Sequence, residues 1–437
     1  MVNENSEAIE LNSIIQKSSL SVYNVLSSRG KLIFFPKKGI LAQTAAAKGK
    51  EINATIGIAL EEDLTPMRLK PIAKLIKKVR PEDSFSYASS FGNQQLRERW
   101  KGLLYEKNPS LEGEISLPVV TNALTHGLSM AGYLFVSPKD KIILPHLFWE
   151  NYNLVFENTY GGELDPFNMF INGAFDTESF AKKLDSVGVG KKIILLNFPN
   201  NPTGYTPSDD EVEKIVDIIK NSAEKGNQIV VIIDDAYFGL VYEDGVYRES
   251  IFSKLNNLHE NILAVKLDGA TKEDYVWGLR VGFVTFGTKN GTKELYSALE
   301  NKLAGAVRAT ISNASNLSQS LVLAGLSHKK YMKEKQKKFE LLRSRFEEVK
   351  KVISDERYSK FFKAVPFNSG YFMCIKLKDD IDAEKVRQTL LEKYDTGIIV
   401  FGKLIRVAFS SLRKKQIKDL FENVYSACSE LADNEPK

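Results

Sequence analysis

The stretch Lys192-IILLNFPNNPTGYTPSDDEVEKIVDIIKNSAEKGNQIVVIID-Asp235 contains two short apolar runs on either side of a helical pattern. The runs, residues 192–196 and 229–233, are continuous rather than alternating, as in strands that are buried on both faces of a parallel sheet. Between them, a capping-box pattern over residues 208–211 starts a helix whose apolar residues recur at helical spacing. A strand, a helix and a second strand in this order predict an α/β fold.

Outward from this unit, short apolar runs continue to alternate with helical patterns between residues 93 and 286. Further strands are predicted at residues 117–121, 141–144, 262–267 and 281–286. After about residue 304 the pattern changes to helices, with strands predicted at residues 370–376 and 404–409. The chain is therefore expected to form a large α/β domain and a smaller α+β domain.

Two long helices are predicted outside the large domain. Residues 7–28 are interpreted as one helix that ends near Gly30, and this segment is expected to join the small domain. Residues 318–353 are interpreted as a second helix, rich in lysine and glutamate. A lysine-rich run can form a nucleic-acid patch, but the interspersed glutamates and the formal net charge of +5 favour a solvated helix.

The composition narrows the class of protein. Of the 437 residues, 60 are basic, 55 are acidic and 43% are hydrophobic, which are ordinary values for a soluble globular protein. Cys374 and Cys428 are too few for a disulfide framework and lack partners at metal-ligand spacing. Residues 1–12 lack the apolar core of a secretory signal, and no run approaches the roughly 18 apolar residues of a membrane span. We expect a cytoplasmic protein without a metal, nucleic-acid or membrane partner.

Two motifs follow the strands of the first unit. Residues 197–204, Asn-Phe-Pro-Asn-Asn-Pro-Thr-Gly, favour a turn at the carboxyl end of a strand, where ligands bind in open α/β sheets, although an ordinary polar turn is equally consistent. Residues 234–239, Asp-Asp-Ala-Tyr-Phe-Gly, offer a carboxylate for a cationic ring nitrogen and a phenol for a ring oxygen. Asp234 is also consistent with a helix cap. The acid pair resembles a metal site, but no histidine lies nearby in the sequence.

Two further motifs carry cations. Lys272 is followed by Gly278-Leu-Arg280-Val-Gly282, which offers an amine beside a guanidinium that can bind phosphate, although a single lysine is usually a surface residue. Arg406 lies within the apolar run 405–409. A charge in a buried strand costs several kcal/mol unless it is paired, so Arg406 needs either a protein carboxylate or a substrate carboxylate as its partner.

Taken in order, these four motifs resemble those of the class I and II aminotransferases, which are fold-type I pyridoxal-phosphate enzymes. The resemblance extends from about Ile52 to the end of the chain. It implies a large domain with a mostly parallel seven-stranded sheet and helices on both faces, plus a smaller α+β domain. The implied bounds are residues 1–62 for an N-terminal segment of the small domain, 63–317 for the large cofactor-binding domain and 318–437 for the small domain. It also implies a homodimer with active sites at the subunit interface.

The resemblance assigns roles around the cofactor ring. Lys272 corresponds to the lysine that forms the internal Schiff base with pyridoxal phosphate and shuttles the α-proton. Asp234 corresponds to the carboxylate that keeps the pyridine nitrogen protonated. Asn201 and Tyr237 correspond to the residues that bond the ring oxygen, and Arg280 corresponds to the cation on the phosphate.

The resemblance also assigns residues around the ring and substrate. Trp149 corresponds to the aromatic residue that stacks on the ring, and Tyr87 to the tyrosine that reaches the phosphate of the neighbouring subunit; core packing is the alternative for both. Arg406 corresponds to the clamp on the substrate α-carboxylate, and Gly57 to a glycine that lets the backbone approach it. Arg308 resembles an arginine that selects a second carboxylate across a dimer, as for aspartate or glutamate, with an ordinary salt bridge as the alternative.

Two positions depart from the family pattern. The phosphate-binding loop corresponds to residues 122–125, where Ala123, Leu124 and Thr125 are bulkier than usual, although amides at a helix start can still bind phosphate. The serine that many members have three residues before the lysine is Gly269 here. One hydroxyl contact to the phosphate is therefore expected to be missing, unless Thr271 replaces it.

The favoured function is amino-group transfer between an L-amino acid and a 2-oxo acid by a ping-pong reaction. Pyridoxal-phosphate lyase or decarboxylase chemistry on the same fold is an alternative, because fold does not determine reaction. A non-catalytic ligand sensor, like the aminotransferase-like half of some bacterial regulators, is disfavoured. The roughly 50 residues before Ile52 show no helix-turn-helix pattern.

Overall fold

The structure is a computed structural model that describes residues 5–36 and 39–433. The outermost parts of the predicted terminal segments, residues 1–4 and 434–437, lie outside the described residues. None of the described helices is long and apolar enough to cross a membrane.

The secondary structure alternates through the middle of the chain as predicted. The strands are β1 Ile52–Asn53, β2 Val119–Asn122, β3 Lys141–Pro145, β4 Glu163–Phe167, β5 Phe170–Ile171, β6 Ala174–Phe175, β7 Lys191–Asn197, β8 Gln228–Asp234, β9 Ile262–Asp268, β10 Val281–Gly287, β11 Phe362–Ala364, β12 Met373–Leu377, β13 Thr396–Gly397, β14 Ile399–Phe401 and β15 Leu404–Val407.

The α-helices vary from short turns to long rods. They are α1 Ser6–Ser18, α2 Leu20–Val25, α3 Ser28–Leu32, α4 Ile40–Ala46, α5 Lys70–Leu75, α6 Pro81–Phe85, α7 Gln94–Lys107, α8 Ala123–Phe135, α9 Thr177–Ser186, α10 Asp209–Glu224, α11 Phe252–Leu255, α12 Ala270–Glu273, α13 Lys293–Ile311, α14 Asn316–Leu326, α15 Tyr331–Ile353, α16 Ala383–Lys393 and α17 Gln416–Asp433. A π-helix covers Asn153–Asn158, and 3₁₀ turns cover Trp277–Leu279, Glu356–Lys360 and Phe409–Ser411.

The large sheet confirms the predicted fold class. Among the described residues it contains seven strands in the order β2-β10-β9-β8-β7-β3-β4. Strands β9, β8, β7, β3 and β4 run parallel, whereas β10 is antiparallel to both β9 and β2. The six strands predicted for this sheet are present, and β4 is an additional strand at one edge. Its sequence, Glu163-Leu-Asp-Pro-Phe167, is polar and partly exposed, so it lacks the apolar signal of the inner strands.

Helices cover both faces of this sheet. Along β7, Ile194 and Leu196 belong to one apolar cluster and Ile193 and Leu195 to another, because successive side chains of a strand point to opposite faces. The first cluster contains the apolar residues of α9 and α10, and the second those of α8 and α13. The capping box that starts α10 is present, since Ser208 and Glu211 each accept a hydrogen bond from the other's backbone amide.

The carboxyl ends of β7 and β8 lie side by side, with Asn197 paired in register to Asp234. In an open α/β sheet this edge is where ligands bind. The loop after β7 and the loop after β8 therefore deliver both of the first two motifs to one place.

The second domain is built on an antiparallel sheet in the order β11-β12-β15-β14, on which α16 packs, and α17 packs against both α15 and α16. Strand β1 joins this domain by pairing in parallel with β13, Ile52 facing Thr396, whereas Leu32 at the end of α3 accepts a hydrogen bond from Asn158 of the large domain. The assignment of residues 1–62 to the small domain and the bounds at residues 62 and 317 stay predictions.

Two helix predictions are wrong. Residues 7–28 form the short helices α1 to α3, because the side chains of Ser19 and Ser27 each accept a hydrogen bond from an amide three residues later and start a new helix. Gly30 consequently lies inside α3 and does not end a helix. Residues 318–353 are divided between α14 and α15 near Gly325 and Ser327, which are weak helix formers.

Candidate active site

A cavity of about 490 Å³ lies at the carboxyl ends of β7 and β8, with walls from both domains. Of the site residues predicted from the sequence, all except Tyr87 and Arg308 line this cavity or its rim. They are Gly57, Ala123, Leu124, Thr125, Trp149, Asn201, Asp234, Tyr237, Lys272, Arg280 and Arg406. Residues that are far apart in sequence thus meet at the edge where the topology predicts a ligand.

Asp234 is a carboxylate held in a fixed orientation at the end of β8. It is buried, with 3% of its surface exposed, and it accepts hydrogen bonds from the Tyr152 hydroxyl at 2.6 Å and the Ala236 amide at 3.1 Å. Burial raises the pKa of Asp234, while the hydrogen bond from Tyr152 and the charge of Lys272 lower it. The site therefore presents an oriented anion that is suited to a cationic ring nitrogen.

Lys272 lies one turn past β9, on α12, and faces the same cavity. Its amine is 4.2 Å from the centre of the Tyr237 ring. Burial lowers the pKa of Lys272 to about 8; the Asp234 charge acts against this shift and the Arg280 charge adds to it. An amine with this pKa is neutral over more of the physiological range than an ordinary lysine, and it can serve as a nucleophile or base.

A second group of lining residues suits an anion. Arg280 has a left-handed backbone conformation (φ 53°), as does Ala123 at the start of α8 (φ 61°), and the two are brought together because Val281 pairs with Asn122. Helix amino termini leave free amides that bind phosphate. The backbone of Ala123 packs so closely on Gly282 that an added Cβ there would lie 2.6 Å from it, so glycine is required at this position.

Arg406 is the buried cation of β15. Only 3% of its surface is exposed, it lies 4.3 Å from the centre of the Phe372 ring, and burial lowers its pKa. Its guanidinium donates to Asn201 Oδ1 at 3.2 Å and to the Thr55 carbonyl at 3.4 Å. Within residues 5–36 and 39–433 no carboxylate lies within ion-pairing distance, and Nε has no partner. Of the two partners considered from the sequence, a substrate carboxylate is the one that fits.

The donor set as a whole fits pyridoxal phosphate. The cavity offers an amine for an aldehyde, a carboxylate for a pyridine nitrogen, a phenol and an amide for a ring oxygen, and a cation with helix amides for a phosphate. The described residues contain no group of three potential metal ligands.

Comparison with known proteins agrees with this geometry. The model of the family described as aminotransferase class I and II matches residues 59–424. The chain belongs to this family. Membership confirms the resemblance predicted from the four motifs, and it assigns the chain to a class of pyridoxal-phosphate-dependent enzymes.

Individual members of the family are similar over most of the chain. The sequence is 27% identical to a probable N-acetyl-LL-diaminopimelate aminotransferase of Bacillus subtilis, over 63% of each protein. It is 24% identical to an asparagine–oxo-acid transaminase of Streptococcus mutans, over 82% of this chain and 85% of that one. The fold is similar to that of an aminotransferase from Anaerococcus prevotii, with a TM-score of 0.82 and 24% identity over 92% of this chain and 99% of that one. Because the chain spans less than two thirds of the Bacillus relative, activity is argued below from this chain's own residues.

The structure adds two residues that motif reading missed in this aminotransferase-family site. Tyr152 donates to Asp234, and Asn197 ties the two loops together by donating to the Asp234 carbonyl at 2.7 Å and accepting from the Asn201 amide at 2.8 Å. Tyr152 lies three residues after Trp149, the proposed stacking residue. A polar aromatic side chain about one helical turn beyond that residue is the sequence signal that could have identified Tyr152.

Two predicted residues lie outside the cavity. Tyr87 is 92% exposed, and Arg308 is exposed on α13 without an ion pair to any described residue. The salt bridge considered for Arg308 is therefore absent from the described part of this chain. Both residues were assigned to contacts across a dimer, which a single chain cannot form, so these roles stay predictions.

Proposed function

We propose that this protein transfers an amino group between an L-amino acid and a 2-oxo acid with pyridoxal phosphate, by a ping-pong reaction. The observation that carries the proposal is the composition of one cavity. It holds an amine whose pKa is lowered to about 8, an oriented buried carboxylate, and a buried guanidinium that lacks a carboxylate partner among the described residues. Groups of these kinds are required to hold an amino acid and to move its α-proton.

Asp234, Asn201, Tyr237 and Arg280 are proposed to hold the cofactor. When bound, pyridoxal phosphate supplies an aldehyde that takes up amines and a protonated ring that withdraws electrons from the substrate α-carbon. The Tyr152 hydroxyl holds the Asp234 carboxylate in place by a hydrogen bond, and this carboxylate would keep a proton on the ring nitrogen. Asn201 and Tyr237 line the same cavity and would bond the ring oxygen, and Arg280 would bind the phosphate together with the amides at the start of α8.

Lys272 and Arg406 are proposed to act on the substrate. Arg406 binds the α-carboxylate, which replaces weak contacts to neutral oxygens with a charge-assisted bidentate pair, and the backbone at Gly57 approaches the same carboxylate. Lys272, once neutral, takes the α-proton and returns it during transfer. Trp149 lines the cavity and would cover the face of the ring and exclude water.

The visible absorption spectrum of the purified protein tests this proposal. A protein loaded with pyridoxal phosphate should be yellow, lose its band when a suitable amino acid is added, and regain it with a 2-oxo acid. Lys272→Ala should bind the cofactor without this cycle while its circular dichroism is unchanged. A protein that takes up no cofactor, or a Lys272→Ala variant that retains full turnover, would contradict the proposal.

The same experiment separates the alternatives. Ammonia, a carbon–sulfur cleavage product or carbon dioxide released without any added 2-oxo acid would indicate lyase or decarboxylase chemistry. A spectral change that never proceeds to product would indicate a ligand sensor.

A further inference from the structure

A second cavity of about 670 Å³ adjoins the candidate active site. It lies between residues 34–36 and 39–41 of the amino-terminal part of the chain and the π-helix 153–158. Ile40, Leu41 and Trp149 line both cavities, so the two spaces meet at these three side chains. The wall between the proposed substrate position and the second cavity is therefore apolar.

Each cationic side chain that lines the first cavity already has a role in the proposed function. Among its described lining residues, Lys272, Arg280 and Arg406 are the only cationic side chains. The lining that the two cavities share is apolar and consists of Ile40, Leu41 and Trp149. Arg308 lines neither cavity. A second carboxylate on a substrate would therefore be buried without a partner from this chain, which is costly.

The second cavity has the opposite character. Its described lining contains glutamates and asparagines and no lysine, arginine or histidine. Glu157 accepts a hydrogen bond from the Leu164 amide at 3.2 Å, whereas the Glu150 carboxylate has no hydrogen-bond or ion-pair partner among the described residues. Glu150 is exposed as a residue, although partial burial of its carboxyl group raises its pKa. The charge of Arg406 lowers that pKa, so Glu150 interacts electrostatically with the active site.

We propose that the two cavities form one substrate site, in which Ile40, Leu41 and Trp149 contact the apolar stem of a long side chain and Glu150 binds an amine at its end. This rests on the proposed function and names its substrate class, L-amino acids whose extended side chain ends in a cationic nitrogen. An apolar stem suits the shared wall, and a cation is the complement of an unpaired carboxylate.

A different role for Glu150 has to be separated from this one. If Glu150 only balanced the charge of Arg406, its removal would change the binding of every amino acid equally, because each presents the same α-carboxylate. If Glu150 binds the end of the side chain, only amine-ended substrates respond. The comparison of substrates within one variant therefore distinguishes recognition from charge balance.

The test measures the rate at which the visible band of the loaded protein is lost with L-lysine, L-norleucine, L-2-aminoadipate and L-aspartate. L-Lysine should react with the highest second-order rate constant. Glu150→Gln should lower that constant about fivefold, since an ion pair with an exposed carboxylate is screened by water, and leave the constant for L-norleucine unchanged. Glu260→Gln, the same change at an exposed position outside both cavities, is the matched control.

Three results would overturn the inference while the proposed function stands. They are a preference for L-aspartate or L-2-aminoadipate, an equal loss for L-lysine and L-norleucine in Glu150→Gln, and an unchanged rate constant for L-lysine in that variant. Lys37 and Lys38 precede Gly39 of this cavity in the sequence and lie outside the described residues. The panel is therefore repeated on a variant with both changed to alanine, in which L-lysine should still be preferred. A protein that responds to no amino acid would instead contradict the proposed function.

Discussion

At the scale of single residues, one buried arginine has an anionic partner and another does not. Arg345 is fully buried and well paired, since it donates to Glu62 at 2.7 Å and to the carbonyls of Leu60 and Ser410. Arg406 is equally buried but contacts only neutral oxygens and a ring. A buried cation without an anion is unfavourable for folding, which is consistent with the proposed role of Arg406 in binding a ligand.

Replacement of these arginines should therefore have opposite effects. Arg406→Met should leave the free energy of unfolding unchanged or higher, because it removes an uncompensated charge, and should weaken amino-acid binding about thirtyfold or more. Arg345→Met should lower the stability by about 2 kcal/mol, because the buried Leu60 carbonyl loses its donor, whereas Glu62 is 51% exposed and is solvated by water. Urea unfolding and spectral titration with the amino acid measure the two quantities. Equal destabilisation by both changes would show that Arg406 is structural.

The pKa of Lys272 predicts a pH dependence for cofactor attachment. Attachment needs the neutral amine, so the rate of reaction of the apoprotein with pyridoxal phosphate should rise with pH and level off above about pH 8, the pKa of this lysine. A lysine with an ordinary pKa would give a rate that still rises near pH 10. The Asp234 charge raises the pKa of Lys272, so Asp234→Asn should move the midpoint to lower pH. Stopped-flow absorbance over a pH series measures the profile, and no shift in Asp234→Asn would contradict the assignment.

Gly269 shows why a family hydroxyl is absent. An added Cβ at Gly269 would lie 2.6 Å from the Val281 carbonyl and 2.9 Å from the Gly282 Cα, both backbone atoms. Gly269→Ser should therefore weaken the retention of pyridoxal phosphate instead of restoring a contact. Equilibrium dialysis against the cofactor measures this, with Gly305→Ser, at an open position, as the control. Tighter binding by Gly269→Ser would show that the backbone adjusts.

At the scale of elements, an ionic network ties the helix of Lys272 to its surroundings. Glu273 and Asp274 follow Lys272 directly and are buried. The Lys335 amine, on α15, lies 2.5 Å from Glu273 and 3.2 Å from Asp274, and the Lys107 amine, on α7, lies 3.0 Å from Glu273. One short helix is thus anchored to the small domain and to the large one.

Removal of Lys335 should loosen this anchor. Lys335→Met leaves Asp274 with the Tyr331 hydroxyl as its remaining side-chain donor, so the free energy of unfolding should fall. The expected loss is about 2 kcal/mol, which is less than for a fully buried pair because Lys335 is 19% exposed and partly screened by water. Lys333→Met, an exposed position on the same helix, should have no effect. Urea unfolding compares the two variants. Equal midpoints would show that Lys107 and Tyr331 are sufficient to stabilise the buried Glu273 and Asp274 without Lys335.

Elements differ in how far their sequence predicts them. The inner strands were predictable because burial on both faces leaves continuous apolar runs such as 192–196 and 229–233. The helix breaks at Ser19 and Ser27 were not, because serine is tolerated within a helix and starts one only where its hydroxyl meets a free amide. The edge strand β4 was missed because partial exposure removes the apolar signal.

At the scale of the whole molecule, topology explains which site residues could be predicted. Motifs at the ends of adjacent strands converge because the sheet brings those ends together, so Asn201, Asp234 and Lys272 meet in one cavity. Tyr152 required knowledge of how the loop after β3 folds back over Asp234. Tyr87 and Arg308 lie apart from the cavity, and their expected contacts with a second copy of the chain stay predictions.

An active site shared between two copies predicts complementation between variants. Tyr87 is exposed and expected to reach the phosphate of a partner, whereas Lys272 serves its own cavity. Homodimers of Lys272→Ala should be inactive, and those of Tyr87→Ala should lose cofactor at low pyridoxal phosphate. When the two variants are unfolded together and refolded, about a quarter of the sites in a random mixture of dimers combine both native residues.

The mixture should therefore recover activity at a pyridoxal phosphate concentration too low for Tyr87→Ala alone. Light scattering checks that each sample is dimeric, and refolding the variants separately before mixing is the control. Recovery in the co-refolded sample alone would place Tyr87 in the partner's site, because the two native residues are brought together only when chains exchange. Without recovery, Tyr87 would be a surface residue of its own chain, and each subunit would have to complete its phosphate site with Arg280 and the amides of α8.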